Sequence, residues 1–318
     1  MASASKITPE DKPKEAYEIM NEQIETGLKE YNRSDLGLFL SSLSAGLEVG
    51  FSILIIGIIH TLFKNESTHG QLAVMMALVY PIGYIFVITG RSELFTEHTT
   101  LATLPVMNGQ ATLGSLAKLW LIVYVGNLAG GYLFGSISLV FNGEMHLIGK
   151  DFFYFVSEKM LNYSARATLI SGIMAGWLMG MLSWLLSSAK DTLSRVVMIF
   201  LVTFLISIAG LHHCIVGSIE VFMAFFAEAN KMSWVQFLRF QGLATLGNII
   251  GGVFLVAIVK FAHSKRHELP SYPHSPVCRF QEGDEQCFQR PTSSLLLVFH
   301  SSSLINYISP KPMWCLLD

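Results

Sequence analysis

The 318-residue chain is 52% hydrophobic and 14% charged, with a formal net charge of −2. A soluble domain carries about 25% charged residues, so this balance, with a mean hydropathy of +0.49, points to a lipid bilayer as the surrounding phase. No basic face marks a nucleic-acid partner, the four cysteines lack zinc or disulfide-framework spacing, and the polar N-terminus is not a signal peptide.

Within residues 1–35, Tyr17, Met20, Ile24, Leu28 and Tyr31 recur at spacings of three and four. This pattern predicts an amphipathic helix that packs on the cytoplasmic face. Spanning a bilayer takes about 20 apolar residues, and six candidate spans follow at roughly 36–63, 72–90, 113–141, 167–188, 196–226 and 235–263. The chain thus divides into an N-terminal segment (1–35), a six-span domain (36–263) and a tail (264–318). The tail holds six of the ten prolines and reads as cytoplasmic and disordered. Lys6, Lys12, Lys14, Lys29 and Arg33 precede the first span, and Lys265 and Arg266 follow the last. The positive-inside rule therefore predicts both termini in the cytoplasm.

The second and fifth spans are broken. One reads Val87-Ile-Thr-Gly-Arg-Ser-Glu-Leu-Phe-Thr-Glu-His-Thr99 and resumes as a short half-helix at 101–106; the other reads Ile206-Ser-Ile-Ala-Gly-Leu-His-His-Cys-Ile-Val-Gly217. Each reaches a glycine (Gly90, Gly210) and then shows ionisable groups. Non-helical backbone survives at membrane depth only when buried in protein or lining a wet cavity. Paired interruptions in two halves are the sequence pointer to a transport site. Spans one and four share Ala45-Gly46-Leu-Glu-Val-Gly50 and Ala175-Gly176-Trp-Leu-Met-Gly180. Spans three and six share Gly126-Asn-Leu-Ala-Gly-Gly131 and Gly247-Asn-Ile-Ile-Gly-Gly252. Small residues four apart let helix backbones approach closely. Because a three-span unit must reverse direction when repeated, the repeat is inverted. The predicted fold class is an all-α membrane protein of six transmembrane helices.

Taken in order, Arg91-Ser-Glu-Leu-Phe-Thr96, the two Gly-Asn motifs and Gly210-Leu-His-His-Cys-Ile215 resemble the formate/nitrite transporter family over about residues 36–263. Within it, the likeness is to the bacterial inner-membrane branch with paired histidines. The resemblance implies an aquaporin-like fold and a homopentamer in the inner membrane. Each protomer would then hold a pore for small monovalent anions. It places the central pore histidine at His213, the loop Leu-Phe-Thr at Leu94, Phe95 and Thr96, and a constriction at Ile206. Departures from the family pattern are His212 in place of the usual Glu, glycines at 180 and 217 where pore asparagines are expected, and the polar Glu97 and His98.

The chemistry also follows from the residues. Half-helix N-termini offer unpaired N–H groups to an anion. Leu94, Phe95 and Ile206 form dry collars that favour a neutral species. His213, with a side chain that titrates near neutrality, would exchange a proton with the anion of a weak acid. Adjacent His212 is also a candidate, although only one of the two can face the pore on regular backbone. Glu48, inside span one, either lines a vestibule or sits protonated between protomers. Arg166 is either a pore cation or a snorkelling helix-end cation. Two other readings are open. Glu93, Glu97, His98, His212 and His213 offer metal-ligand types, as in an intramembrane metal-binding protein or metalloenzyme. The same fold could also serve a neutral solute such as water or glycerol. Neither a cofactor nor a catalytic residue is expected.

Overall fold

The computed structural model describes residues 12–227 and 232–268, and all regular structure among them is helical. The calls on residues 1–11 and on most of the 264–318 tail fall outside the described residues. Helix α1 (Ala16–Tyr31) precedes α2 (Asp35–Phe63), α3 (His69–Val79), α4 (Pro81–Gly90), α5 (Phe95–Leu101) and α6 (Thr103–Met107). There follow α7 (Leu113–Met145), α8 (Lys150–Leu161), α9 (Ala165–Ser188), α10 (Thr192–Ile208), α11 (Val216–Ala227) and α12 (Trp234–Ile250). A π-helical stretch (Gly251–Ile258) then leads into α13 (Val259–Glu268). Five stretches are long and apolar enough to cross a bilayer: α2, α3–α4 together, α7, α9, and α12 through Lys265. α10 and α11 are two shorter apolar helices in tandem.

Polar caps fix where the apolar helices begin. Ser34, Thr68, Thr112, Ser164, Asp191 and Ser233 each accept a hydrogen bond from a backbone N–H of the first turn. Each cap satisfies a donor that the helix itself leaves orphaned. At the junction of α3 and α4, Pro81 has no N–H to give. Ser52 repairs the gap from α2. Its hydroxyl donates to the Tyr80 carbonyl at 2.6 Å and accepts from the Gly83 N–H at 3.0 Å.

Glycine sets how closely the helices pack. A Cβ on Gly46 of α2 would stand 2.2 Å from the Asn127 carbonyl oxygen of α7, and one on Gly176 of α9 would stand 2.1 Å from that of Asn248 on α12. Gly130 against Leu43, and Gly251 against Ile173, repeat the arrangement at 2.0 and 2.1 Å. The matched glycine motifs are therefore the contact lines of two helix pairs, α2 with α7 and α9 with α12.

Three elements differ from their sequence expectation. The segment after the first break is helical from Phe95, not from 101. Its polar residues bond their own helix, with the Thr99 hydroxyl on the Thr96 carbonyl (2.8 Å) and the Thr103 hydroxyl on the Thr99 carbonyl (2.7 Å). The residue in the left-handed conformation at that break is Arg91 (φ 59°), not Gly90, whereas Gly210 does take it at the other (φ 63°). Residues 150–161 form α8, with Phe152, Phe153, Val156 and Met160 buried. α1 is helical as the spacing predicts: Met20 and Ile24 of the expected stripe are buried with Ile19, Tyr17 is exposed, and Gln23 donates to the Ser183 carbonyl at 2.8 Å.

Because the Asn248 carbonyl is backbone and cannot move aside, Gly176→Val should abolish most monodisperse protein in mild detergent. Gly70→Ala, whose Cβ meets nothing within 4 Å, should leave it intact. Fluorescence-detected size-exclusion profiles of the two variants check this.

Candidate functional site

The two breaks are the same motif built twice. In the first, the Ser92 N–H bonds the Val87 carbonyl (3.0 Å) and the Arg91 N–H bonds that of Ile88 (3.3 Å). In the second, Leu211 bonds Ile206 (3.0 Å) and Gly210 bonds Ser207 (3.0 Å). This is the Schellman ending of a helix, which needs one left-handed residue. Arg91 takes that conformation at a cost of about 1 kcal/mol, whereas Gly210 takes it freely.

A buried asparagine then clamps each loop. Asn127 of α7 accepts from the Phe95 N–H (2.8 Å) and donates to the carbonyls of Glu93 (2.8 Å) and Ser42 (2.8 Å). Asn248 of α12 accepts from the Cys214 N–H (2.9 Å) and donates to the carbonyls of His212 (3.0 Å) and Gly172 (2.8 Å). Each clamp thus grips the two neighbours of one central residue. In the first half that residue is Leu94; in the second it is His213.

His213 reaches Thr96, two residues beyond Leu94 in the chain. The His213 Nε2 lies 2.9 Å from the Thr96 hydroxyl, and the Tyr84 ring meets the imidazole edge-on at 5.5 Å. The Nδ1 accepts from the backbone N–H groups of Ile215 and Val216, both at 3.3 Å. The side chain therefore caps α11, and an accepting Nδ1 leaves the ring proton on Nε2, where Thr96 receives it. A second proton on Nδ1 would break both cap bonds and place charge against a helix N-terminus. In this geometry the neutral imidazole is a cap acceptor at Nδ1 and a donor at Nε2. Leu94, Thr96 and Ile206 are each 0% exposed and His213 is 1% exposed, so the chain is closed here.

A cavity stands at either end of α4 and α10. The larger, about 490 Å³, is lined by Tyr80 before α4 and by Ile206–Leu211 after α10, together with His213, Gly217, Glu220 and Lys159. The smaller, about 360 Å³, is lined by Ile88–Glu93 residues at the end of α4 and by Arg195 near the start of α10, with Glu97, Glu30 and Lys29. The two share no lining residue.

The remaining predicted residues fall as follows. Phe95 packs edge-on against Tyr124 (4.9 Å) and Trp120 (6.1 Å). His212 turns away from both cavities: its Nδ1 lies 2.7 Å from the Ser171 hydroxyl, and its ring sits against Tyr163 and Phe240. Glu48 accepts from Ser44 (2.7 Å) and Ser92 (3.0 Å), which ties α2 to the first loop, and it lines neither cavity. Arg166 is exposed in the first turn of α9 and lines neither cavity; the cation that faces the larger one is Lys159.

The histidine and acid cluster is split. His98 of α5 stays beside Glu93 of the first loop, with Nε2 3.1 Å from the carboxylate. Arg33 bridges Glu93 (2.7 Å) and Glu30 (2.8 Å) from the end of α1. Outside the spans, Glu30 has its pKa raised, first by burial and next by the Glu93 carboxylate. Ligand-type atoms of Glu30, Glu93 and His98 come within 4.8 Å of one another, but a guanidinium already sits between the two carboxylates. His212 and His213 do not join them, so the five metal-ligand types singled out from the sequence do not converge.

Sequence reading missed Lys159 and Glu220, and used Asn127 and Asn248 only as repeat markers. The spacing of Phe152, Val156 and Met160 was the available signal for α8, which brings in Lys159.

Comparison with known proteins gives one consistent result. The family model described as "Formate/nitrite transporter" matches residues 17–262. The chain is 32% identical over 257 residues to the "Inner membrane protein YfdC" of Escherichia coli (strain K12), with 79% of each chain covered. Among solved structures it is similar to an "FNT family ion channel", with a TM-score of 0.70 at 21% identity over 77% of this chain and 98% of that one. It is also similar to a "Pentameric formate channel with formate bound", with a TM-score of 0.63 at 22% identity over 72% and 97%.

If the asparagines hold the breaks, Asn127→Ala and Asn248→Ala should each lose three buried hydrogen bonds. At about 1 kcal/mol per bond, plus the penalty for the groups left unpaired, each variant should lose roughly 3 kcal/mol or more. Thermal unfolding in detergent should show a clear drop in Tm for both. Asn162→Ala, at the exposed end of α8, serves as the control and should not change it.

Proposed function

Because the chain belongs to the formate/nitrite transporter family, we propose that it moves small monovalent anions of weak acids, formate or a close analogue, across a bacterial inner membrane. The observation that carries this reading is a fully buried stretch between two separate cavities, where Leu94 and Ile206 are apolar and His213 pairs with Thr96. In this reading α10, the second loop and α11 together make a sixth crossing. The two clamped breaks then belong to an inverted, aquaporin-like repeat, and both termini lie in the cytoplasm. The protomers assemble as a homopentamer with one pore each, in keeping with the pentameric formate channel that the fold resembles. The chain acts as a transporter, not an enzyme.

The mechanism follows from the partition. An ion crossing a dry contact must shed its hydration, and a charge at the bilayer centre costs at least about 2.5–3.5 kcal/mol. A weak-acid anion avoids that cost by picking up a proton in the cavity and crossing as the neutral acid. His213 serves as a fixed neutral donor: its Nε2–H holds the Thr96 oxygen, and the Thr96 hydroxyl in turn offers its proton to the solute at the one point where water is excluded. Leu94 and Ile206 form the collar, and the next residue, Phe95, is anchored on Tyr124 and Trp120.

An uptake panel in proteoliposomes tests the function. Formate should enter well above the rate of empty liposomes, while water- and glycerol-driven swelling should match them. Swelling without anion uptake would instead make this a neutral-solute channel. Thr96→Val and His213→Asn should each slow formate uptake by about tenfold, the effect of losing one or two hydrogen bonds of about 1 kcal/mol from the barrier region. Because His213 is not the proton source here, His213→Asn should keep the wild-type pH profile between about pH 5 and 8. Leu94→Ala should raise passive anion leak in assembled protein; wild-type selectivity in that variant would remove the collar.

A further inference from the structure

The larger cavity holds an acid that the reading above does not use. Glu220 lies on α11 one turn beyond Gly217, and both residues line the cavity into which His213 also looks. Glycine at 217 belongs to the tight side of this helix, where a Cβ would stand 2.7 Å from the Phe240 ring. Glu220 is 6% exposed, and its carboxyl makes no hydrogen bond or ion pair with any described residue. What it faces is the cavity.

Other charged and titratable groups share that space. α8 brings Lys159 and Glu158, α3 brings His69, and Tyr80 follows α3 with its hydroxyl 2.9 Å from that of Tyr84. Tyr163, just after α8, also lines it, whereas Tyr132 of α7 is bonded to Ser218 at 2.7 Å outside the cavity wall. α2 contributes only the apolar Ile56 to the wall. Of these groups, Glu220 combines burial on a membrane helix with a free carboxyl beside the route to His213. A permanent carboxylate there would repel the anions that the cavity receives. A carboxylic acid would not, since it presents an O–H donor.

We propose that Glu220 is the group that hands a proton to the anion in this cavity, and that it thereby selects carboxylate and other weak-acid anions over those of strong acids. This inference rests on the transport reading above. In the step, the Glu220 O–H bond breaks and an O–H bond forms on the anion, which leaves as the neutral acid toward the collar. The Glu220 carboxylate that remains shares the cavity with the Lys159 ammonium, so the cavity gains no uncompensated charge. Hydronium from the water on that side then restores the Glu220 proton. The match in acidity between donor and acceptor is what makes the transfer facile. A formate ion takes the proton from a glutamic acid readily; nitrate, the anion of a strong acid, does not.

The test uses the full chain in liposomes, with formate uptake followed by an entrapped pH dye between about pH 5 and 8. Wild-type uptake should fall as pH rises. Glu220→Gln keeps the size and polarity of the side chain but has no proton to give. It should slow uptake by at least about tenfold, the lower side of what one proton-transferring group contributes, and it should flatten the pH profile. Glu220→Asp should restore part of both. A Glu220→Gln protein with wild-type rate and profile overturns the proposal. So does a Gln variant that is slow but keeps the wild-type profile, because that is the mark of a purely structural role. A comparison on unmodified protein does not depend on variant folding: formate should enter and nitrate should not, and equal entry of the two overturns the proposal. If wild-type protein takes up no small anion at all, the transport reading itself fails. If it takes up formate but ignores the Glu220 changes, only the present inference fails.

Discussion

Backbone that leaves helical geometry inside a bilayer has no water to satisfy it, and every functional feature of this chain depends on how that debt is met. Two asparagines meet it. Asn127 and Asn248 each spend a full side-chain amide on three backbone groups. Two of those bonds grip the residues on either side of one loop position, and the third ties the asparagine to the neighbouring helix. The glycine contacts of α2 with α7 and of α9 with α12 exist at the same levels, because the asparagines can reach the loops only if those backbones are in near-contact. Small residues, close helices, amide clamps and open loops are thus one construction made twice.

The two copies carry different residues at the gripped position. Leu94 is a fully buried apolar side chain, the collar of the proposed route. His213 brings a polar ring that the cap on α11 and Thr96 hold in one orientation. The partition is therefore dry on one side of its contact and hydrogen-bonding on the other. On the proposed route this is the environment a small neutral acid can cross and a hydrated ion cannot. The two cavities differ in character: the larger is mostly apolar with Lys159 and Glu220 in its wall, while the smaller is lined by Glu30 and Lys29 of α1 with Arg91 and Glu93.

Much of this was legible in the residues. The long apolar stretches, the two interruptions and the matched glycine motifs are local patterns, and they put α2, α4, α7, α9, α10 and α12 close to where they stand. The polar run Thr96–Thr100 was not legible as helix, because Thr99 and His98 bond their own turn while Thr96 and Thr100 bond His213 and Gly252 far along the chain, which a hydropathy scale does not register. Arg91 in place of Gly90 at the left-handed position was hidden for a related reason, since glycine is the default choice there and arginine is not. The partnering of His213 with Thr96, 117 residues apart, and the arrival of Lys159 at the same cavity depend on tertiary packing. The opposite aims of His212 and His213 were foreseeable from backbone geometry; that His213 caps a helix was not.

The central claim is that a weak-acid anion crosses this partition as a neutral species. The most direct measurement compares isotopic formate flux with electrical current across a bilayer holding the reconstituted protein under a formate gradient. The account predicts flux with no matching current, since each formate moves with one proton. A steady current of one elementary charge for each formate transported would contradict it.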